Sequence, residues 1–404
     1  MDQVRPILQQ VKEGGDKALI ELTRRFHGAD LSRVPLRVSE EEIRKSESMI
    51  PAGVADAIRS SVARVRAVHQ DQLPGPMTLR EVAPGVFAGE RALPIPSVGL
   101  YAPRGKGSFP SSMYMMAVPA SVAGVPRIVV VSPPDAEGRC DPATLFAASQ
   151  CGITEIYRIG GVQAVAALAY GTESVAPTAK IVGPGSQFVT AAKRLLFGVV
   201  DVGLPAGPTE SLVIGDDGTD PRRAALDLLI EAEHGPDSQA LLVTPSKKLA
   251  EAIVPYLRDF TAKLPEPRRG FVESVLKGYG GIILTETMEE AAEVANTVAP
   301  EHLQIAAAEP FAVLGLVKNA AEILIGQDTP FSMANYTIGA NAVLPTGGAA
   351  RTWSPLSTRD FMKWSSIAYV TGGGYSSLKE TVLALADYEG FAAHAAALRE
   401  RNGE

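Results

Sequence analysis

An acid and an imidazole stand next to each other in the segment APEHLQI, residues 299–305. Glu301 and His302 follow Pro300, which fixes its own φ angle and disfavours the helical region for the residue before it. The helical pattern at 288–298 should therefore end here and leave the pair at a sharp corner. A carboxylate and an imidazole held in such a corner can share general-base and general-acid work. From these residues alone, the alternative is an ordinary solvated pair at the end of a helix.

Two further histidines have a carboxylate nearby in the sequence. His234 follows Glu231 by three residues in EAEHG, so a helix would place both on one face. His394 follows Glu389 by five residues in EGFAAH. Carboxylate and imidazole groups are ligands that suit zinc. Each pair alone could equally be a solvated helix face, so the sharper hypothesis is that two pairs converge on one metal ion.

The elements that must position these residues alternate between strand and helix patterns. Short runs of branched apolar residues alternate with helical runs over 97–185, and a second such series covers 210–326. Alternation at this spacing predicts βαβ units and parallel sheets covered by helices. Residues 1–70 show helical periodicity, with His27 and His69 expected on helix surfaces. A long irregular segment begins after 327, where function is often found.

The glycine fingerprint of dinucleotide-binding proteins, GxGxxG, is absent. Gly183-Pro184-Gly185-Ser186 does come after a predicted strand and before a predicted helix, but it lacks the last glycine. Such a turn could present backbone amides to a phosphate. Because glycine turns are common, this one does not by itself distinguish a nucleotide site from an ordinary connection.

The 404 residues carry a net charge of −7 and are 46% hydrophobic, which is the balance of an ordinary globular protein. The acidic charge and the lack of a basic cluster argue against binding to nucleic acid or to a membrane surface. No apolar signal core begins the sequence, and no apolar run reaches membrane-spanning length. Two cysteines, Cys140 and Cys151, cannot make a disulfide framework, so we expect a cytoplasmic protein.

Taken together, the motifs resemble those of the histidinol dehydrogenase family from about residue 3 to the end of the chain. The matching segments include VGLYAPRGKGSFPSSMYMMAVPASVAGV (98–125), GPGSQFVTAAKRLLFG (183–198), EAEHGPDSQALLVT (231–244), APEHLQI (299–305), VLPTGGAAR (343–351) and EGFAAH (389–394). This family oxidises an amino alcohol twice, through an aldehyde to a carboxylic acid, and reduces two NAD. Zinc holds the substrate.

The resemblance implies an α/β fold with two tandem incomplete Rossmann-like domains, each with a parallel sheet, plus a small helical C-terminal appendage. The predicted first domain is 1–100 with 209–356, and the second is 101–208. The helical tail, 357–404, is expected to reach the partner subunit of a homodimer, so that the two active sites are shared.

The resemblance also implies roles for individual residues. Glu301 falls where the family activates water for the aldehyde step, and His302 where it places its acid/base histidine. The other implied roles are zinc binding by Glu231, His234, Asn335 and His394, substrate binding by Thr209 and Glu389, and NAD binding by Tyr101, Gln163 and Ser186. His394 is expected to come from the partner subunit.

Three positions depart from the family pattern. Glu231 stands where the family has glutamine and Asn335 where it has aspartate, so the formal charge of the ligand set stays at minus one. A carboxylate binds zinc well, whereas an asparagine oxygen is a weaker donor. Ala342 replaces a histidine expected near the reacting substrate, and nothing nearby in the sequence replaces that imidazole.

We therefore predict NAD- and zinc-dependent oxidation of L-histidinol, through the aldehyde, to L-histidine. One alternative is a paralogue that performs the same four-electron oxidation on another small polar alcohol, such as a sulfonated diol. Ala342 and the exchanged ligands favour that alternative. The other is a non-catalytic family member that keeps the fold and a metal, which the retained Glu301–His302 pair argues against.

Overall fold

A computed structural model describes residues 1–104 and 107–402 of the chain. These residues form two compact units. The first comprises Met1–Leu73 with Ile95–Phe361, and the second comprises Pro74–Pro94 with Met362–Glu404. Both parallel sheets lie in the first unit. The finer division into two Rossmann-like domains and a tail reaching a partner stays a prediction.

The N-terminal region is helical, as predicted. It consists of α1 (Arg5–His27), α2 (Glu40–Lys45) and α3 (Ala52–Gln70). Helix α2 begins with a capping box, in which the Ser39 side chain and the Glu42 side chain each bond the other residue's backbone N–H. These bonds satisfy amide groups that have no partner within the helix. Two strands that belong to the second unit follow, β1 (Met77–Ala83) and β2 (Val86–Pro94).

The first βαβ series builds a four-stranded parallel sheet in the order β5-β4-β3-β6. Its elements are β3 (Val98–Tyr101), α4 (Pro110–Val122), β4 (Ile128–Val131), α5 (Pro142–Ser149), β5 (Glu155–Tyr157), α6 (Gly161–Tyr170), β6 (Lys180–Val182) and α7 (Gln187–Leu195). Helices α1, α6 and α7 cover one face through residues such as Leu19, Val165 and Val189. The strands are buried on both faces, which explains their continuous apolar runs.

The second series builds a five-stranded parallel sheet in the order β11-β10-β7-β8-β9. Its elements are β7 (Glu210–Ile214), α8 (Pro221–Ala232), β8 (Gln239–Thr244), α9 (Lys247–Lys263), α10 (Arg268–Lys277), β9 (Gly280–Leu284), α11 (Met288–Val298), β10 (His302–Ile305), α12 (Pro310–Leu314), β11 (Glu322–Ile325) and α13 (Phe331–Tyr336). Helices α8, α9, α10 and α13 contribute to one apolar cluster, and α11 and α12 to another. The predicted α/β fold with parallel sheets is confirmed.

The second unit contains an antiparallel sheet that the sequence patterns did not reveal. Strand β12 (Met362–Val370) pairs with β2, which pairs with β1. Helices α14 (Gly372–Tyr388) and α15 (Ala392–Arg399) complete the helical C-terminal piece. Most residues of β1 and β12 are exposed, so neither strand shows the apolar alternation that marks a half-buried strand.

Helix α11 ends at Val298, as the following proline predicts. Ala299 then has φ 52° and ψ 60°, and it is the one non-glycine residue with positive φ in the described part of the chain. The left-handed conformation costs an alanine about 1–2 kcal/mol. The fully buried Ala299 is held there by its surroundings and turns the chain into Glu301.

A buried polar network anchors the irregular segment after β11. His69, predicted on a helix surface, is in fact fully buried, because α3 packs beneath this segment. The amide of Asn341 lies 3.0 Å from His69 Nε2 and donates to the Met115 carbonyl at 2.7 Å, and its oxygen accepts the Val343 N–H at 2.9 Å. Gln72 contacts His69 Nδ1 at 2.6 Å. One asparagine therefore joins three segments that are distant in sequence.

No helix in the described part of the chain combines the length and apolar character that a membrane span requires.

Asn341→Ala should lower the free energy of unfolding by about 3 kcal/mol, because it leaves several buried polar groups without partners. Asn319→Ala is the matched control, since Asn319 is half-buried and its side chain donates one bond, to the Asn296 carbonyl. It should cost about 1 kcal/mol. Chemical denaturation of both variants measures the difference. Equal losses would show that the Asn341 network does not hold this segment.

Candidate active site

The predicted catalytic pair lies at the amino edge of the five-stranded sheet. His302 is the first residue of β10, and Glu301 immediately precedes it. Glu210 begins β7 and Glu322 begins β11, the two strands that flank β10. Helix α8 follows β7 and runs back across the sheet, so Glu231 in its last turn and His234 just beyond its end come to the same edge. Residues from four separate segments thus meet around one imidazole.

His302 is nearly fully buried between carboxylates. Its Nδ1 lies 2.8 Å from Glu322 Oε2, and its Nε2 lies 3.9 Å from Glu301 Oε1 and 4.0 Å from Glu231 Oε1. Burial alone would lower the pKa of His302, but the surrounding carboxylates outweigh it and raise that pKa well above the usual range. The carboxylates therefore favour the protonated imidazole, whereas a metal cation bound among them would favour its neutral form.

Glu301 is only 7% exposed, and its Oε2 accepts the Glu210 N–H at 3.0 Å. Burial raises the pKa of Glu301, and the nearby carboxylate of Glu231 raises it further. The charge of His302 and the backbone bond from Glu210 act in the opposite direction. A carboxyl group whose pKa is pushed towards neutrality suits a general base.

Glu231, His234 and Asn335 come together beside this pair. The Asn335 amide donates to Glu231 Oε1 at 2.6 Å, and Glu231 Oε2 lies 2.7 Å from His234 Nδ1. Burial opposes ionisation of Glu231, but His302, His234 and Asn335 outweigh it, so its pKa is held below the usual range. The fully buried Glu231 is therefore ionised.

The chemistry of these three residues fits part of a zinc site. Glu231 Oε2 and His234 Nδ1 are close together, yet neither has a hydrogen-bond partner in suitable geometry. A carboxylate oxygen and an imidazole nitrogen are both common zinc ligands. Among the described residues, no group of three His, Cys, Asp or Glu side chains is arranged to hold a metal alone. A fourth ligand would have to join Glu231, His234 and the Asn335 amide.

Glu389 and His394, the other predicted contributors, belong to the second unit. Glu389 follows α14 directly and is exposed. His394 lies on α15, also exposed, with its ring 5.0 Å from the ring of Phe391. The first unit therefore contains three of the four predicted zinc ligands, and the second unit contains the fourth.

Two glutamates of the site were missed by the sequence analysis. Glu210 begins β7 next to the half-buried Thr209, a predicted substrate contact, and its Oε1 accepts the Gly347 N–H at 2.8 Å. Glu322 begins β11 and contacts His302. A signal for Glu210 was its place beside Thr209 in the segment AGPTESLVIGDD (206–217), which also resembles the family. Glu322 carried none, because only strand pairing places it opposite His302.

The predicted NAD contacts lie at the carboxyl edge of the four-stranded sheet, where nucleotides bind in open α/β folds. Tyr101 ends β3, and its hydroxyl accepts the Gly161 N–H at 3.0 Å at the start of α6. Gln163 in the first turn of α6 is fully buried, yet its amide oxygen and nitrogen have no hydrogen-bond partner among the described residues. Ser186 is exposed at the start of α7. The unsatisfied amide of Gln163 fits a site that a polar ligand completes.

The glycine turn at 183–186 lies in the segment that connects the four-stranded sheet to the five-stranded sheet. Lys193 of α7 is buried, and its ammonium group donates to the carbonyls of Gly183 and Leu204 at 3.3 and 3.4 Å. Burial lowers the pKa of Lys193 to about 8. The turn that precedes α7 is therefore tied to the segment leading into β7.

Comparisons with known proteins identify the family of this chain. The family described as histidinol dehydrogenase matches residues 1–402. Histidinol dehydrogenase of Synechocystis is 52% identical over 98% of this chain and 92% of its own length. A histidinol dehydrogenase homolog of Cereibacter sphaeroides is 50% identical over 98% of this chain and 91% of its own length. The crystal structure of histidinol dehydrogenase from Elizabethkingia anophelis superposes with a TM-score of 0.95 at 32% identity, covering 99% of this chain and 92% of that one. The chain belongs to the histidinol dehydrogenase family of oxidoreductases.

Proposed function

We propose that this protein is an NAD- and zinc-dependent dehydrogenase that oxidises L-histidinol through the aldehyde to L-histidine. The observation that carries this proposal is the group of four glutamates around His302. Among the described residues, none of the four forms an ion pair with lysine or arginine, and the charged partners of Glu231, Glu301 and Glu322 are histidines. A site with this excess of carboxylates favours a divalent cation and a substrate that carries an ammonium group.

The two oxidation steps need different proton transfers. In the first, His302 in its neutral form takes the hydroxyl proton of the alcohol on Nε2, and a hydride leaves the carbon that bears the hydroxyl group. In the second, Glu301 takes a proton from the water that adds to the aldehyde, and the hydrate loses a second hydride. Bound NAD would accept each hydride, and zinc would hold the substrate. The sum converts one alcohol, one water and two NAD⁺ to a carboxylate, two NADH and three protons.

The residues that would hold the two cofactors lie at different sheets. Zinc would be held by Glu231, His234, Asn335 and His394. NAD would lie at the carboxyl edge of the four-stranded sheet, against Tyr101, Gln163 and Ser186, as proposed from the family resemblance and supported by the unsatisfied amide of Gln163. Thr209, next to Glu210, would contact the substrate.

We also propose that the protein is a cytoplasmic homodimer with shared active sites. Glu389 and His394 of the partner subunit would complete each site, with Glu389 binding the substrate amino group. The exposure of both residues and the incomplete ligand set in the first unit support this proposal.

A paralogue with another alcohol substrate is the second candidate. Ala342 favours it, because a methyl group stands where the family's substrate-side imidazole is expected, and the relative in Cereibacter sphaeroides carries the name homolog. The carboxylate-rich site argues against an anionic alcohol such as a sulfonated diol, since like charges at close range disfavour binding.

NADH formation with a panel of alcohols tests the proposed function. We expect turnover with L-histidinol, two NADH per substrate, little turnover with a sulfonated diol, and loss of activity with a chelator that added zinc restores. Preference for the sulfonated diol would support the second candidate. No turnover of any alcohol by zinc-loaded protein would count against an enzyme.

Glu301→Gln should slow aldehyde oxidation more than alcohol oxidation, because only the second step needs the glutamate as a base for water. Loss of a general base is worth roughly two to four decades in rate. Rates measured separately with the alcohol and with the aldehyde reveal the difference. Glu309→Gln, an exposed position after β10, is the control and should change neither step. Equal slowing of both steps would contradict this role of Glu301.

Glu231 and Asn335 should act as one unit in zinc binding, because their side chains are in contact. Glu231→Gln removes the carboxylate of the ligand set and should lower zinc affinity. The double variant Glu231→Gln with Asn335→Asp keeps one carboxylate in the ligand set, now at position 335, and should recover most of the lost zinc affinity. Competition with a chromogenic chelator measures all four proteins of the cycle. Additive effects would show that the two residues do not share an ion.

Mixed dimers test whether His394 acts in the partner's site. His234→Ala and His394→Ala should each be inactive, but a heterodimer of the two should regain one intact site and part of the activity. Differently tagged chains allow the heterodimer to be purified before assay. An inactive heterodimer would place all four ligands in one chain.

A further inference from the structure

The proposed mechanism leaves Glu322 without a role, although this residue contacts the central histidine. Glu322 Oε2 lies 2.8 Å from His302 Nδ1, and the two residues face each other across the parallel pair β10–β11. We propose that Glu322 is a positioning residue that accepts the Nδ1 proton of His302 and so leaves Nε2 to exchange protons with the substrate. This role rests on the proposed function, in which His302 is the acid/base group.

The surroundings of the ring make Glu322 the group that distinguishes its two nitrogens. Nε2 faces Glu301 and Glu231 at 3.9 and 4.0 Å, which are contacts rather than hydrogen bonds. The ring packs edge-on against Phe331, with centroids 5.7 Å apart. Packing of this kind restrains the plane of the ring, but the carboxylate determines which nitrogen carries a fixed proton. Histidines in catalytic sites are commonly oriented in this way.

Glu322 also lowers the stability of the fold relative to an apolar residue at the same position. It is 6% exposed, and its Oε1 has no hydrogen-bond partner among the described residues. A buried carboxylate oxygen without a partner lowers stability, so an apolar side chain at the start of this strand would serve the fold better. The bond to His302 is the compensating contact.

A cavity of about 860 Å³ gives access to this position. Glu322 lines it together with other residues of the edge strand β11 and with Gln72, Asn341 and Asp360. Removing the glutamate side chain would therefore enlarge an existing cavity and would not open a hole in a closed core. A small carboxylate such as formate could enter and take the place of the missing group.

Glu322→Ala should lower kcat roughly 10- to 100-fold, the usual effect of losing a group that orients a catalytic or metal-binding histidine, with KM changed only a few-fold. Added formate should restore part of kcat. In a His302→Gln background, the same change should lower kcat less than twofold, because the residue it positions is gone.

Leu324→Ala is the matched control. Leu324 lies two residues further along β11 on the same face, is 4% exposed and packs into the core. This change should lower thermal stability, leave kcat of the folded protein within a few-fold, and show no response to formate. A loss of kcat in Glu322→Ala that formate does not restore, and that persists in the His302→Gln background, would overturn the proposal. An unchanged kcat in Glu322→Ala would overturn it too.

Proton NMR tests the positioning without reference to activity. The chain has five histidines, so selective ¹⁵N labelling makes the ring protons assignable. We expect a downfield, exchange-protected Nδ1 proton from His302 that disappears in Glu322→Ala. The buried His69, whose Nδ1 lies 2.6 Å from Gln72 Oε1, is the internal reference and should be unaffected. Persistence of the His302 proton in Glu322→Ala would contradict the proposal. If no alcohol is oxidised, the proposed function fails while this signal still reports on the contact.

Discussion

The arrangement of charge around His302 is the constraint on which the rest of the site depends. One buried imidazole is in contact with Glu322 and lies within about 4 Å of Glu301 and Glu231. Carboxylates buried this closely repel one another, and only a cation among them makes the cluster tolerable. The protonated imidazole can supply that charge, and the proposed zinc ion would supply it while His302 is neutral and able to accept a proton.

The fold brings this cluster together at an unusual edge. In open α/β sheets, ligands commonly bind at the carboxyl ends of the strands, and the proposed NAD site follows that rule in the four-stranded sheet. The catalytic cluster instead lies at the amino ends of β7, β10 and β11. Tyr114 of α4 donates to the Tyr336 carbonyl at 2.6 Å, so the helix after β3 touches the segment that carries Asn335. Contacts of this kind connect the carboxyl edge of the four-stranded sheet with the amino edge of the five-stranded sheet.

The exchange of Glu231 and Asn335 acquires a physical explanation from the structure. Relative to the pattern that the family resemblance implies, the carboxylate has moved from α13 to α8, where it is fully buried beside His302 and His234, and the Asn335 amide on α13 donates to it at 2.6 Å. An amide can donate to a carboxylate, whereas two carboxylates at this distance would repel. The two departures therefore compensate for each other.

Sequence alone determined much of this protein. The apolar runs revealed all nine strands of the parallel sheets, most of which are buried on both faces, although the edge strand β9 is partly exposed. Pro300 marked the corner before Glu301 because its ring ends the helix locally. The motifs also identified the family.

Tertiary structure decided what depends on pairing between distant segments. The exposed strands of the second unit carry no apolar pattern, and His69 became buried only because a later segment packs on α3. Glu322 contacts His302 because β10 and β11 pair in a register that aligns these two residues, 20 positions apart. Residue types and local spacing encode chemistry and helix ends, but the register of paired strands is set by packing across the whole sheet.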